Sequence, residues 1–445
     1  MSADEAPIDI VVVGAGPAGL AAAATARRAG AGRIVLLERQ GEPGGVPRQC
    51  GHSPYGMREF HRVLSGRAYT RRLVDEARAA GVEIRSGHSV VELTAAAHTP
   101  SPAEPTLRIV SSEGQATLSP HAVIVATGVR ETTRAAALLP GQRPGGVLNT
   151  GALQDLVYLR GRVPFHRPVV LGSELVTMSA LITCATHGMR PVALIESAPQ
   201  PILRAPLRWL PRALGIPWHL GAKLLDVEGT ERVRGVRVRL ADGGERAFEC
   251  DGLLLTGRFV PEASLLRGAG ATMDAATQGP CIDDRGRTSL SGVYAVGNVL
   301  RGVETAGWAW AEGGRVARAV VDDLGADRAR ASEAADAAGE RHGGIELVAG
   351  RGVARLVPQR LAVDDAAARR PGVGGDARDR AALAFPDVQL RLTEVSVGRV
   401  VARQGGEVIL SRRVRSGPER RVLVPVRDVL RGARTGTVEF SVEAT

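Results

Sequence analysis

Three glycines and one acid, at fixed distances from each other, carry the most readable chemistry in this chain. Residues 10 to 19 read Ile-Val-Val-Val-Gly14-Ala15-Gly16-Pro17-Ala18-Gly19, an alanine-rich stretch follows, and Glu38 closes Arg-Ile-Val-Leu-Leu-Glu. In a strand–turn–helix unit the first glycine makes the tight turn. The second lets the backbone approach a pyrophosphate, and the third lets the helix pack against the sheet. The helix amino terminus then holds the phosphates, while an acid at the end of the second strand accepts the ribose hydroxyls. The positions therefore predict a strand into Gly14, a helix from Pro17 and a second strand ending at Glu38. An ordinary glycine-rich turn is the alternative, and it gives no reason for the acid.

The stretch beyond Glu38 points to FAD rather than NAD. It reads Glu38-Arg39-Gln-Gly-Glu-Pro-Gly44-Gly45, a turn that brings a second pair of glycines back toward the pyrophosphate. Arg39, the residues leaving the double glycine (Val46, Pro47 and Arg48) and Val90 join the candidate cofactor contacts. Residues 123 to 128, Val-Ile-Val-Ala126-Thr127-Gly128, read as a buried strand running into a small-residue turn. Residues 292 to 298 read as a strand ending at Gly297 and Asn298, with a helix expected from about Thr305 through Arg318. These pieces resemble the FAD-binding segments of flavoproteins with two dinucleotide-binding domains. By that resemblance Asn298 stands where an aspartate bonds the ribityl chain and phosphate, and the amides near Thr305 and Ala306 face the flavin pyrimidine. Asparagine still donates and accepts there, but it removes a charge.

Arg48 and His52 are the candidate catalytic side chains. Arg48 offers a cation for the flavin N1–C2 carbonyl edge or for a substrate carboxylate, and His52 offers a proton carrier; a surface arginine and a histidine bonded to a backbone carbonyl are the alternatives. Hydride transfer to a flavin needs mainly geometry, so no separate base is named. Cysteines stand at 50, 184, 250 and 281, a spacing that ligates no iron–sulfur cluster. No metal site is expected. The offsets at which redox cysteines follow the double glycine in flavin disulfide reductases fall on Pro47 and His52, which excludes a flavin–dithiol relay there. Cys184, in Cys-Ala-Thr-His, reads as a small buried residue of a helix.

An internal repeat follows. Residues 169 to 196 read Val-Val-Leu-Gly172-Ser-Glu174-Leu-Val-Thr177, an apolar helix, then Pro-Val-Ala-Leu-Ile-Glu196, with the acid at the same distance from the first glycine as in the first copy. The architecture is that of a nicotinamide-dinucleotide domain. The fingerprint, however, is broken: Glu174 stands for Gly16 and Thr177 for Gly19, so sterics and like charge both oppose an incoming pyrophosphate. NAD(P) binding is therefore doubtful, and a retained scaffold domain is the competing reading.

A chain of 445 residues that is 44% apolar has material for two or three full cores. The uncharged run from Ile10 to Ala26 is not a signal or membrane segment, because its leader is acidic and its glycines and proline belong to the turn. The expectation is a soluble cytoplasmic protein with no integral membrane segment, peripheral to a membrane only through a partner. The net charge is +10 and Lys223 is the single lysine. The arginines are scattered without interleaved aromatics, so nucleic acid is not an expected partner.

The expected fold class is α/β, with two Rossmann-like domains and a small β-rich carboxy-terminal domain. The FAD domain takes residues 1–148 and 250–325 and is split by a NAD(P)-like domain at 149–249. A loop is expected over 97–106, a linker over 326–343 and a mobile segment over 365–380. Short antiparallel strands over 344–445 form a small sandwich with a docking role. The flavin motifs end before residue 325, so removal of 344–445 is expected to leave FAD bound.

Four segments carry a narrower resemblance: Gly44–His52, Gly128–Arg134, Pro140–Gln154 and Gly297–Ala306. They are similar to the FAD-binding large subunits of bacterial multi-subunit amine and amino-acid dehydrogenases and oxidases, the family of opine oxidase, hydroxyproline and proline dehydrogenase and hydrogen cyanide synthase, and more distantly of the sarcosine oxidase alpha subunit. The resemblance implies an electron-handling subunit for a small-molecule substrate. Its partners would be a second, amine-oxidising flavoprotein and a small iron–sulfur protein. A stand-alone NAD(P)H-dependent flavoprotein reductase and a non-catalytic flavin scaffold are the alternatives.

Overall fold

The computed structural model describes residues 7–97, 104–201, 206–302, 304–332, 344–362 and 383–444. Most of the expected loop at 97–106, the segment 333–343 of the expected linker and the whole of 365–380 lie outside the described residues. By internal contacts the chain forms two compact units. One comprises Met1–Gly45, Thr70–Val129 and Pro261–Thr445; the other comprises Val46–Tyr69 and Arg130–Val260.

The first unit is built on a five-stranded parallel sheet in the order Val293–Ala295, Ala122–Val125, Ile8–Val13, Arg33–Glu38, Glu83–Ser86. Its central strands are apolar without alternation because both faces are covered, and Val11, Val12, Val35 and Ile124 are fully buried. Helix Pro17–Arg28 begins on its proline, which has no amide to lose at that position. Its alanines let helix Ala306–Ser332 come very close: a Cβ on Gly313 would stand 2.1 Å from the Ala18 carbonyl oxygen. That second helix was expected to stop near Arg318 and instead runs to Ser332. Val316, Ala317, Ala319 and Val320 continue its buried face, and Asp323 ties it down by accepting from Arg287 Nε at 2.8 Å and the Tyr294 hydroxyl at 2.7 Å.

Residues 344–445 group with this first unit but enclose a core of their own, formed by Ile345, Leu347, Val388, Leu390, Val400, Val438 and Phe440 among others. Five strands run in the order Arg360–Ala362, Gly344–Ala349, Gly436–Ala444, Ser396–Gln404, Glu407–Ser416. Three more run Val353–Val357, Asp387–Leu392, Arg421–Pro425. The expectation of antiparallel pairing throughout is corrected at one place, where Gly344–Ala349 and Gly436–Ala444 pair in parallel. A parallel pair needs a long crossover, and here nearly the whole segment supplies it.

The second unit repeats the plan. Its parallel sheet runs Trp218–Leu220, Ala193–Glu196, Pro168–Leu171, Gly252–Leu255, Val147–Asn149, and an antiparallel trio, Lys223–Glu228, Gly235–Arg239 and Glu245–Glu249, packs beside it. Among the described residues no helix is long and apolar enough to cross a membrane.

Candidate functional site

Four chain segments of the first unit converge on the turn after strand Ile8–Val13. Gly14 has φ +105, its N–H donates to Leu37 O at 2.8 Å, and a Cβ there would stand 2.6 Å from the Ala126 carbonyl oxygen. Gly19 is equally constrained, since a Cβ would fall 1.9 Å from the Gly14 oxygen. The double glycine comes back as expected: Gly44 N–H donates to Ala15 O at 2.8 Å, and a Cβ on Gly45 would lie 2.8 Å from Gly16 Cα. Ala126 N–H donates to Val13 O at 2.8 Å, and a Cβ on Gly297 would press on Ala18 at 2.8 Å. Thr127 and Gly128 continue the 126–128 turn, fixed by Glu262, which accepts from the Thr127 hydroxyl at 2.7 Å and donates its N–H to Gly128 O at 2.8 Å.

Gly16 is the exception among these glycines, because a Cβ there would meet no protein atom within 4 Å. Packing does not demand glycine at this position. The bare amino terminus of helix Pro17–Arg28 opens outward there, and this is the cradle a pyrophosphate needs. Glu38, 7% exposed, sits at its expected place, with one carboxylate oxygen accepting from Ala15 N–H at 3.0 Å and the other from Gln40 N–H at 2.9 Å. Gly87 and His88 hand their N–H groups to Gln40 O and Glu38 O at 2.9 Å each, which starts strand Ser89–Thr94 and its Val90 beside the end of the acid's strand. Arg39 is exposed. Asn298 and Glu304 bond each other, Asn298 Nδ2 donating to Glu304 O at 3.2 Å and Glu304 N–H donating to Asn298 Oδ1 at 2.9 Å. The exposed Thr305 caps helix Ala306–Ser332, its carbonyl accepting from Trp308 and Ala309 N–H. The donor set therefore suits FAD: open backbone amides for phosphates, a buried acid for the ribose and an amide side chain at the third strand end.

The second unit carries the same turn with different side chains. Gly172 has φ +107, its N–H donates to Ile195 O at 2.8 Å, and a Cβ would lie 2.7 Å from Thr256 O, nearly matching Gly14. Here the fully buried Ser173 donates its hydroxyl to Glu196 at 2.5 Å, and Ala198 N–H donates to the other oxygen at 2.8 Å. Thr177 does not merely fill the third glycine position: its hydroxyl donates to Gly172 O at 3.1 Å and lies 2.7 Å from Thr256 Oγ1, which bolts the turn shut. Glu174, at the second glycine position, accepts from Arg258 N–H at 3.2 Å, and a Cβ on Gly257 would strike its carboxylate at 2.3–2.6 Å. Glu131 adds a second acid, accepting from Thr150 N–H at 3.2 Å and Gly151 N–H at 2.6 Å. Burial pushes the Glu131 carboxyl up, with the Glu174 charge adding to it against the lowering by those amides. Thr256 escaped sequence reading because its partners are far along the chain and it belongs to no motif, and Glu131, though inside the segment Gly128–Arg134, because its partners Thr150 and Gly151 are distant in sequence.

Val46, Pro47, Arg48 and His52 belong by contacts to the second unit. The first three lie in the short helix Val46–Gln49, where Val46 is exposed and Pro47 buried. His52 Nδ1 lies 3.3 Å from Ser53 O and its ring 5.4 Å from that of Tyr55. Burial lowers its pKa, opposed by the Ser53 carbonyl, so the imidazole is neutral at pH 7. All four cysteines are free thiols, and burial pushes Cys50 up to about 11 and Cys184 up to about 12. Neither is a thiolate at neutral pH. Among the described residues no group of histidine, cysteine and acidic side chains is placed to hold a metal.

Comparison with known proteins agrees with this geometry. The family model described as pyridine nucleotide-disulphide oxidoreductase matches residues 8–313. An opine oxidase subunit from Agrobacterium tumefaciens (strain Ach5) is 26% identical over 340 residues, which cover 71% of this chain and 66% of that protein. The Rhizobium meliloti protein of the same name is 26% identical over 343 residues, covering 71% and 63%. The chain thus spans slightly less than two thirds of the length of these relatives. Among solved structures, T. acidophilum thioredoxin reductase superposes with a TM-score of 0.60 at 23% identity, over 72% of this chain and 99% of that one. L-proline dehydrogenase from P. horikoshii superposes with a TM-score of 0.54 at 18% identity, over 72% and 56%. At such identities the structures speak for the fold alone. The fold, the open turn at Gly16 and the match over residues 8–313 place this chain in the pyridine nucleotide-disulphide oxidoreductase family, as an FAD-binding oxidoreductase.

Proposed function

We propose that the chain is the electron-handling FAD subunit of a multi-subunit amine or amino-acid dehydrogenase or oxidase, working in the cytoplasm with a second flavoprotein and a small iron–sulfur protein. The observation that carries this reading is the contrast between the two turns, one open at Gly16 and the other filled by Glu174. Raised thiol pKa values and cysteines without a disulfide partner leave no dithiol route for electrons. Likeness to a subunit of opine oxidase supports a partnered enzyme over a stand-alone reductase.

FAD, when bound, supplies the hydride and electron chemistry. The chain's own part is to hold and to tune. The amides at Gly16 and Pro17's helix take the pyrophosphate, Glu38 takes the ribose hydroxyls, and Asn298 takes the ribityl–phosphate region without adding a negative charge. Arg48 would pair with a substrate carboxylate. His52, whose pKa burial lowers, would be the proton carrier.

Rapid mixing of the holoprotein with NADH or NADPH under anaerobic conditions tests the reading. Flavin reduction is expected to be at least roughly 100-fold slower than in a working reductase, since placing a pyrophosphate against Glu174 costs about 3 kcal/mol or more. Glu174→Gly should recover part of that rate, roughly tenfold. Fast bleaching of the unaltered protein by micromolar NADH would overturn the partnered reading in favour of the reductase.

A further inference from the structure

The carboxy-terminal strands deliver three side chains to the loop that follows Gly297. Glu304, 8% exposed, accepts from Arg391 Nη2 at 2.6 Å and lies 3.2 Å from Arg421 Nη2. Arg301 donates to Gln389 Oε1 at 2.9 Å and to Glu312, and Gln389 Nε2 donates to the same Glu312 oxygen at 3.0 Å. The Arg421 guanidinium also stands 3.7 Å from the centre of the Trp308 ring, on the first turn of helix Ala306–Ser332. Glu304 faces two ways. Its carboxylate is gripped by the carboxy-terminal strands, while its backbone N–H and C=O hold both ends of the Asn298 amide.

Holding two layers together does not require this arrangement. Three guanidiniums and two carboxylates taken out of water gain no more than well-packed apolar residues would, but a satisfied polar network fixes one geometry where apolar contacts slide. Arg421 stays charged at neutral pH: burial lowers it to about 10, with Glu304 opposing. The family match ends at residue 313, so Gln389, Arg391 and Arg421 lie outside the matched part of the chain.

We propose that Arg391 and Arg421, with Gln389 accepting from Arg421 Nη1 at 3.4 Å, are positioning residues of the FAD site, which fix Asn298 through Glu304 and make the carboxy-terminal strands one wall of that site rather than an appended docking module. The proposal rests on the reading of Asn298 as a ribityl–phosphate contact.

The test compares FAD affinity of the apoprotein, by flavin fluorescence titration, with the visible circular dichroism of the bound flavin. Arg391→Met and Arg421→Met should each weaken FAD binding about tenfold or more and alter the dichroism, and Arg391→Lys should restore most of both. Glu304→Gln keeps the volume and one acceptor oxygen, so it should fold and still alter the dichroism. Phe440→Leu, in the carboxy-terminal strands' own core, should lower the melting temperature without touching either flavin signal. If the arginine variants and Glu304→Gln behave like Phe440→Leu, with stability changed and flavin signals intact, the positioning role is wrong. Asn298→Leu separates the two readings. If it leaves FAD affinity unchanged, the Asn298 contact fails and the brace with it; if it weakens FAD while the arginine variants do not, only the brace fails.

Discussion

Gly16→Glu is expected to give a folded, colourless protein that takes up no FAD. A Cβ at Gly16 meets no protein atom within 4 Å, and the backbone there is extended, at φ −77 and ψ −178, so the substitution costs the fold little. The chain itself shows that the turn tolerates the residue: Glu174 occupies the matching place at φ −74 and ψ 172, and its helix forms. What changes is the ligand's place. A carboxylate at the helix amino terminus takes the position of the pyrophosphate and repels it, and a loss of at least about 3 kcal/mol weakens FAD binding more than roughly 100-fold. Gly19→Ala would not make the same point, because its Cβ collides with Gly14 O and the turn itself must move. A yellow Gly16→Glu protein with ordinary FAD affinity would sink the cofactor placement.

Arg301→Met is expected to cost about 3–5 kcal/mol of stability, the usual penalty for breaking a buried ion pair from one side. Glu312 is fully buried, and Arg301 is its ionic partner, with Gln389 the other donor. Removal of the guanidinium leaves a buried carboxylate that, among the described residues, keeps the neutral Gln389 amide as hydrogen-bond donor and the Arg421 charge nearby. The double variant Arg301→Met/Glu312→Leu should regain most of the loss, because replacing both charges by apolar groups of similar size is nearly neutral. Urea unfolding of the holoproteins measures this. A single variant within about 1 kcal/mol of the parent, or a double variant worse than the single, contradicts the network. On the positioning role proposed above, truncation of 344–445 strips Arg391 and Arg421 from Glu304 and Gln389 from Glu312 and should weaken FAD binding, the opposite of the expectation from the flavin motifs alone.

Much of the fold was legible because its signals are local. The glycines at 14, 16 and 19, the acid at 38 and their second copy at 172 and 196 lie within single strand–turn–helix units, and the turns form as the spacing requires. The damage at Glu174 was also readable, since it is a change of residue type at a known position. What the sequence did not disclose are contacts between distant segments. Nothing in the local pattern near Glu304 announces Arg391 or Arg421, and nothing near Thr177 announces Thr256. The length of helix Ala306–Ser332 was missed for the same reason: its later turns are polar in sequence and are held by Arg287 and Tyr294 from elsewhere. Parallel pairing of Gly344–Ala349 with Gly436–Ala444 has no local signature at all.

The most direct test of the electron-handling role is reconstitution. The tagged chain would be purified alone and together with the proposed partners, any second flavoprotein and small cysteine-rich protein that neighbouring genes encode, and each preparation assayed for dye reduction with opines, proline and sarcosine. The chain alone should be yellow and nearly inactive, and turnover with one of these substrates should appear only when the second flavoprotein is present. Full turnover by the isolated chain, with no gain from any partner, would contradict the proposed role.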